Sequence, residues 1–263
     1  MNLPLVSIVM PAFNAEAFIA QAIESVINQT YSQWELIIVD DASTDATTSI
    51  IHNYRLRDTR IRVINKPTNT VRPAIAKNIA LANVKGKYIA FLDSDDAWRE
   101  DKLELQVRYL NKRTDVALLY TGGYWVDENY RIIKKFVPQY PYGDNLKRQL
   151  VKYEINNQSV IIITKALADT LNKFNEAITI GEDYNLFMHI SALYKTASLK
   201  EPLIYYRIHN NSITKRKRQY SDGVLITLKE LHNKYGIKVK HPFCYFLTYL
   251  KAIRFKYLKK KWA

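Results

Sequence analysis

The sequence predicts an α/β protein: one mixed central sheet with helices on both faces, followed by a C-terminal helical extension. Two observations carry this. From Leu5 to about Lys112, short apolar runs alternate with helical stretches, and the runs stop at Pro or Asp. Beyond Asp101 the alternation weakens without any Gly-rich or Pro-rich linker or internal repeat, so the chain reads as one domain rather than two.

Taken in order, Val6 to Met10 is a buried-type strand that stops at Pro11. Asn14 is placed to cap a helix whose apolar face combines Phe18, Ala22 and Val26 with Ile19, Ile23 and Ile27. Leu36 to Val39 is a second strand ending on Asp40 and Asp41. Ser43 or Thr44 then offers an N-cap for a helix through about Arg57. Ile61 to Ile64 is a third strand, Ala74 to Val84 a small-residue helix closed by Gly86, and Tyr88 to Leu92 a fourth strand running into Asp93. Val116 to Tyr120, Arg131 to Val137, Ile161 to Ile163 and Ala197 to Tyr206 read as further strands. Leu186, Phe187, Ile190 and Tyr194 mark one more amphipathic helix. In sheets of this kind ligands sit beyond the carboxyl ends of the strands, where Pro11, Asp40, Asp41, Asp93 and Asp95 fall.

Composition narrows the setting. The 39 Lys and Arg against 25 acids give a net charge of +14, a balance that suits a polyanionic neighbour, either nucleic acid or an anionic membrane face. A single cysteine, Cys244, excludes a disulfide framework within the chain and fits a reducing compartment. Met1 to Met10 has no basic n-region, and no window reaches the roughly 18 apolar residues of a membrane-spanning helix. The expectation is a cytoplasmic, non-spanning protein.

The most pointed chemistry is Asp93-Ser-Asp95-Asp96 at a strand end. Three carboxylates in four residues repel one another unless a cation or hydrogen-bond donors compensate. A hard divalent ion suits one or two such carboxylates plus ligand phosphate oxygens, and a solvated turn capping the helix near Asp101 suits them as well. Asp40-Asp41 is less specific, since acids end strands in several nucleotide-binding folds. A dinucleotide site is excluded by the turn Pro11-Ala-Phe-Asn14, which lacks G-x-G-x-x-G, and no P-loop is present.

Three segments in order, Val6-Ser-Ile-Val-Met-Pro-Ala-Phe-Asn14, Val39-Asp-Asp-Ala-Ser-Thr-Asp45 and Gly86-Lys-Tyr-Ile-Ala-Phe-Leu-Asp-Ser-Asp-Asp-Ala-Trp98, closely resemble family 2 glycosyltransferases of the GT-A, Rossmann-like fold. Gly181-Glu-Asp-Tyr184 resembles that family's E-D motif and Tyr206-Arg-Ile-His209 its Y-R-x-H segment, so the likeness spans most of positions 5 to 213. It implies a single-displacement, inverting transfer from a nucleotide-diphosphate sugar, with UDP-sugar first among donors. The acceptor would be a hydroxyl of a glycan or lipid-linked saccharide, in capsule, O-antigen or other bacterial surface polysaccharide. It implies that Pro11, Phe13 and Asn14 form the loop under the nucleotide, that Asp41 accepts a hydrogen bond from the base, and that Asp93 lies near the ribose. Asp95 would be the direct ligand of Mn²⁺ or Mg²⁺, with His209 as a second contact to metal or diphosphate, and Asp96 would approach the donor sugar. Asp183, in the first turn of a helix whose dipole favours an ionised carboxylate, would be the base. Arg207 would pair with the diphosphate or brace Glu182.

One segment departs from the family pattern: Asn69 to Ala80 lacks the usual glycines, and Lys77 stands where Arg is usual. Lys keeps the charge but loses the bidentate fork, which Arg72 is placed to supply. The expected division is a catalytic domain over 1–213, with its nucleotide half to about 112 and its acceptor half from 113, then an extension over 214–263. That extension holds the block Lys215 to Arg218. Further on, aromatics are interleaved with Lys251, Arg254, Lys256, Lys259, Lys260 and Lys261. Phe246, Tyr249, Leu250, Ile253 and Tyr257 fall on one helical stripe, suited to an anionic membrane face, to packing on the catalytic domain or a second subunit, or to single-stranded nucleic acid. The transferase reading expects no nucleic acid and places the protein in the cytoplasm, peripheral to the inner membrane face if the stripe docks there. The rivals are a nucleotide-sugar pyrophosphorylase, whose Gly-rich, Lys-bearing opening loop is missing, and a non-catalytic nucleic-acid-binding protein.

Overall fold

The computed structural model describes residues 3–70, 72–140, 142–155, 160–209 and 217–257. Lys215 and Arg216 of the basic block, and Lys259 to Trp262 of the tail, lie outside them. Strands β1 (Val6–Ala12), β2 (Trp34–Asp40), β3 (Ile61–Asn65) and β4 (Tyr88–Phe91) form the parallel half of the sheet. The second half adds β5 (Ala97–Trp98), β6 (Val116–Val126), β7 (Ile132–Phe136), β8 (Tyr142–Gly143), β9 (Ile161–Ile163) and β10 (Lys195–Arg207). The order is β3-β2-β1-β4-β9-β6-β10-β5, with β7 on β6 and β8 on β10. Strand β9 runs antiparallel to both neighbours, β4 and β6, which makes the sheet mixed.

Residue alternation explains the layers. Ile8, Met10, Leu36 and Ile38 point to one face, where α1 (Ile19–Ile27), α2 (Thr47–Arg57) and α4 (Lys102–Lys112) cover them. Val9, Ile37, Val39, Ile89 and Phe91 point to the other, under α3 (Pro73–Leu81), α6 (Thr164–Asp169) and α7 (Glu182–Leu193). Pro73 stands at the first position of α3, where its missing N–H is no loss.

A third cluster joins α7 to the C-terminal helices. Leu146 and Leu150 of α5 (Leu146–Val151) meet Tyr184 and Met188, and Val224, Leu228 and Leu231 of α8 (Lys217–Tyr235). Ile237 of α9 (Ile237–Lys240) and Cys244 and Ala252 of α10 (Pro242–Tyr257) complete it. Asn185 of α7 donates to Thr227 Oγ1 at 3.1 Å and to Glu230 Oε2 at 2.7 Å on α8.

The expected caps are corrected. Helix α1 begins at Ile19, with no side-chain cap, and Asn14 lies in the left-handed region at φ 45°. Helix α2 begins at Thr47 rather than beside Ser43 or Thr44. The reason is that the loops after β1 and β2 tie to each other. The Asn14 N–H donates to Ser43 Oγ at 3.0 Å, and Asn14 Oδ1 accepts from the Thr44 N–H at 2.8 Å. The Glu16 N–H donates to Asp45 Oδ2 at 3.2 Å, while Glu16 Oε2 accepts from the Ala46 N–H at 2.8 Å. The tail stripe is an outer face: α10 packs inward through Cys244, Thr248 and Ala252, leaving Phe246, Tyr249 and Leu250 exposed. The side chain of Tyr257 lies outside the described residues.

Candidate active site

The carboxyl ends of β1, β2 and β4 stand side by side, since β1 is hydrogen-bonded to both of the others. Pro11 is held in register with Val39, and Phe13 and Asn14 follow it as exposed loop residues, Phe13 at 47% exposure. Asp40 serves the loop: its carboxylate accepts from Ser43 N–H at 3.1 Å and from the hydroxyls of Ser43 and Thr48 at 2.5 Å each. Asp41 is buried and forms an ion pair with Lys66, while Thr70 N–H reaches its Oδ1 at 3.3 Å. Lys66 and Thr70 carry no pattern in sequence that would mark them; only the fold brings them to Asp41.

At the end of β4 the acidic turn is held from β10. The buried Arg207 donates its backbone N–H to Asp96 Oδ1 at 2.7 Å and its Nε–H to the Asp95 carbonyl at 2.8 Å. Its other nitrogens reach the Glu128 carbonyl at 2.9 Å and Gln21 of α1, and its guanidinium is stacked between Phe18 at 4.6 Å and Tyr130 at 5.3 Å. Neither sequence expectation for Arg207 describes this. It braces the Asp95–Asp96 turn, and Glu182 takes Lys77 as its partner instead. Asp96 is buried, and its Oδ2 meets no partner among the described residues. Burial first, then Asp95 and Asp93, raises its carboxyl well above the usual range.

Asp95 Oδ2 lies 2.9 Å from His209 Nε2, with the two side chains 34% and 12% exposed. This is hydrogen-bond distance, so the imidazole and the carboxylate hold each other and both bear atoms that can ligate a divalent ion. Among the described residues no three His, Cys, Asp or Glu converge as a complete protein cage. A pair of protein ligands completed by phosphate oxygens is the arrangement that the donor set fits.

The third group lies at the start of α7. Gly181, at φ 94°, turns the chain so that Glu182 and Asp183 enter the first helical turn. Lys77 of α3 is buried, and its Nζ donates to Glu182 Oε1 at 2.8 Å. Burial opposes that ammonium, yet Glu182, Asp93 and Asp183 together raise its pKa. Asp183 is pushed up to about 6 by burial and then by Glu182, against the pull of Lys77 and the Tyr184 N–H. Lys77 thus joins Asp93 to Asp183 electrostatically, and its ammonium is committed to Glu182. Arg72 is exposed and donates to the Glu176 carbonyl at 2.9 Å.

The family model for glycosyl transferase family 2 matches residues 7–169. The chain belongs to this family. Its mixed sheet is the GT-A fold, and the protein is a glycosyltransferase. The transferase is 32% identical over 239 residues to TuaG of Bacillus subtilis, a glycosyltransferase assigned to teichuronic acid biosynthesis, covering 89% of this chain and 91% of the relative. It is 35% identical over 220 residues to WfgD of Escherichia coli, named a UDP-Glc:alpha-D-GlcNAc-diphosphoundecaprenol beta-1,3-glucosyltransferase, covering 81% of each chain. Among solved structures it is similar to Staphylococcus aureus TarS in complex with UDP-GlcNAc, with a TM-score of 0.78, 22% identity, and 96% of this chain and 73% of that one covered. At that identity the likeness speaks for the fold.

Proposed function

We propose that the transferase moves a sugar from a UDP-sugar to a hydroxyl of a lipid-linked saccharide, with inversion, in the assembly of a bacterial surface polysaccharide. The observation that carries the reaction is the placement of Asp183: a partly exposed carboxylate in the first turn of α7 beside the Lys77–Glu182 pair, where burial and Glu182 push it up to about 6. Such a group is ionised at neutral pH yet basic enough to take a proton. The acceptor hydroxyl gives its proton to Asp183 as its oxygen bonds to the anomeric carbon. The bond from that carbon to the diphosphate oxygen breaks, and UDP leaves with the electron pair.

Pro11, Phe13 and Asn14 would floor the nucleotide, with Asp41 facing the base and Asp93 the ribose. Asp96 would face the donor sugar. Lys77, committed to Glu182, holds the E-D turn in place and adds positive field near the departing diphosphate. A divalent ion, Mn²⁺ or Mg²⁺, would be held by Asp95 and His209 and would stabilise the negative charge that grows on the leaving group. The names of TuaG and WfgD support the polysaccharide setting and the lipid-linked acceptor. Thermal-shift titration with UDP, dTDP and GDP, each with Mn²⁺, tests the donor half. UDP should stabilise most under metal, and stabilisation by none of the three would remove the proposal.

The exposed face of the C-terminal helices gives the acceptor its setting. Phe243 at 71%, Phe246 at 56%, Leu250 at 45% and Val239 at 79% exposure stand among the exposed Lys238, Lys240, Lys251 and Arg254. Residues 231–263 contain no Asp or Glu. This face suits an anionic lipid surface, with aromatic side chains entering the interface and cations meeting headgroups. No helix among the described residues is long and apolar enough to cross a membrane. On this reading the enzyme works at the inner face of the cytoplasmic membrane.

A further inference from the structure

Three tyrosines from separate parts of the chain gather at the start of α7, the turn that carries Asp183. Tyr184 follows it in α7, Tyr153 comes from the segment after α5, and Tyr220 from the beginning of α8. Tyr184 is fully buried at their centre, its ring edge-on to Tyr153 at 4.8 Å and to Tyr220 at 6.2 Å. Tyr220 is the outermost, with 37% of its surface exposed.

Two glycines fix where the Tyr220 ring lies. A Cβ on Gly181 would come within 3.2 Å of Tyr220 Cδ2, so the ring lies directly over the residue that opens the E-D turn. One turn further along α8, a Cβ on Gly223 would meet the Ile180 carbonyl oxygen at 2.4 Å, which shows how closely this helix is drawn onto the segment before α7. The phenols of Tyr153 and Tyr184 are buried and meet no hydrogen-bond partner among the described residues. Buried polar atoms of this kind call for an explanation. Burial first, and then Asp183 among neighbouring charges, raises the phenols of Tyr153 and Tyr220, so both stay protonated donors.

We propose that Tyr220 is the platform of the acceptor-sugar subsite, offering the exposed part of its ring to the C–H face of a pyranose. The proposal rests on the reading of Asp183 as the base, because that reading places the acceptor at this carboxylate. A pyranose is apolar on one face, and a partly exposed aromatic ring over the turn that carries Asp183 matches that face. The C-terminal helices then do more than support the sheet: α8 supplies the surface that selects what is glycosylated. Binding a ring in this orientation would bring one of its hydroxyls toward Asp183.

Saturation-transfer NMR on the full chain, with and without UDP and Mg²⁺, provides the test, using methyl glycosides of glucose, galactose, mannose and N-acetylglucosamine as probes. At least one glycoside should show saturation on the C–H protons of one ring face. Tyr220→Phe and Tyr220→Trp should keep that signal. Tyr220→Leu, which fills the volume without an aromatic face, should weaken glycoside binding about tenfold with UDP affinity unchanged. The idea fails if no glycoside is saturated by the wild type, or if folded Tyr220→Leu protein keeps the full signal. Asp183→Asn should bind glycoside normally and transfer nothing. An Asp183→Asn protein that still transfers would remove the base and leave the subsite to be judged on its own signal.

Discussion

Asp183 combines two properties that ordinarily conflict: it is charged at neutral pH, and its surroundings resist that charge. Its carboxyl lies at about 6, so the rate constant kcat is expected to fall about tenfold per pH unit below that value as the base becomes protonated. A flat kcat profile between pH 5 and about 8 would show that another group takes the proton. Asp183→Asn should lower kcat by about 10²–10⁴-fold and leave UDP binding intact, as measured by transfer assays and calorimetry. The same shift has a sign for stability. A carboxyl whose pKa is raised on folding destabilises the native state once it is ionised, fully so above about 6 and not at all below its unfolded value near 4. Asp183→Asn should therefore raise the unfolding midpoint at pH 8, by on the order of 1 kcal/mol after solvent screening, and the gain should vanish at pH 4. Denaturant melts of both proteins at the two pH values settle this.

At the scale of elements, the acidic turn after β4 depends on the last residue of β10. Arg207 holds Asp95 by its carbonyl and Asp96 by its carboxylate, and is itself clamped by Phe18 just before α1 and Tyr130 of the β6–β7 turn. Arg207→Lys keeps the charge but gives up the planar fork and most of the stacking. It should lower stability by about 1–3 kcal/mol and weaken metal-dependent UDP binding at least about tenfold, while metal-free UDP binding changes less. Equal losses with and without Mn²⁺ would mean that the turn does not depend on this clamp. Asp93, Asp95 and Asp96 stand out in sequence as an acidic turn after an apolar strand, and Asp183 and His209 through the resemblance of Gly181 to Tyr184 and of Tyr206 to His209 to family motifs. The clamp does not. Gln21, Phe18 and Tyr130 sit in patterns that a plain surface helix or hairpin would also produce, and their meeting at Arg207 is decided only by strand order. The same reason hid Lys66 and Thr70 beside Asp41, and the Lys77–Glu182 pair between α3 and α7.

For the whole molecule, the order of strands and helices in the alternating first half was readable with boundaries within a few residues, since parallel strands buried on both faces produce continuous apolar runs. The insertion of β9 antiparallel between β4 and β6 was not, because three apolar residues carry no record of their neighbours. The tail stripe left several readings open in sequence, and the structure shows why: α10 is anchored by the small Cys244, Thr248 and Ala252, while the large Phe246, Tyr249 and Leu250 face outward. Removing α10 would therefore expose the third core cluster, and surface substitutions are the cleaner probe of membrane binding. Wild type should pellet with phosphatidylglycerol vesicles more than with phosphatidylcholine, and less so as salt rises. Changing Phe243, Phe246 and Leu250 to Ser should reduce pelleting without altering the far-UV spectrum. Equal binding to both vesicle types would sink the electrostatic version.

The reciprocal bonds between the loops after β1 and β2 have a consequence for anyone who would retarget the donor. Asn14 with Ser43 and Thr44, and Glu16 with Asp45 and Ala46, make two sequence segments into one inheritable unit. A graft of either loop alone leaves its counterpart without partners, so single exchanges should lose more than the pair together. On the proposed function, donor preference should therefore transplant only as a matched set.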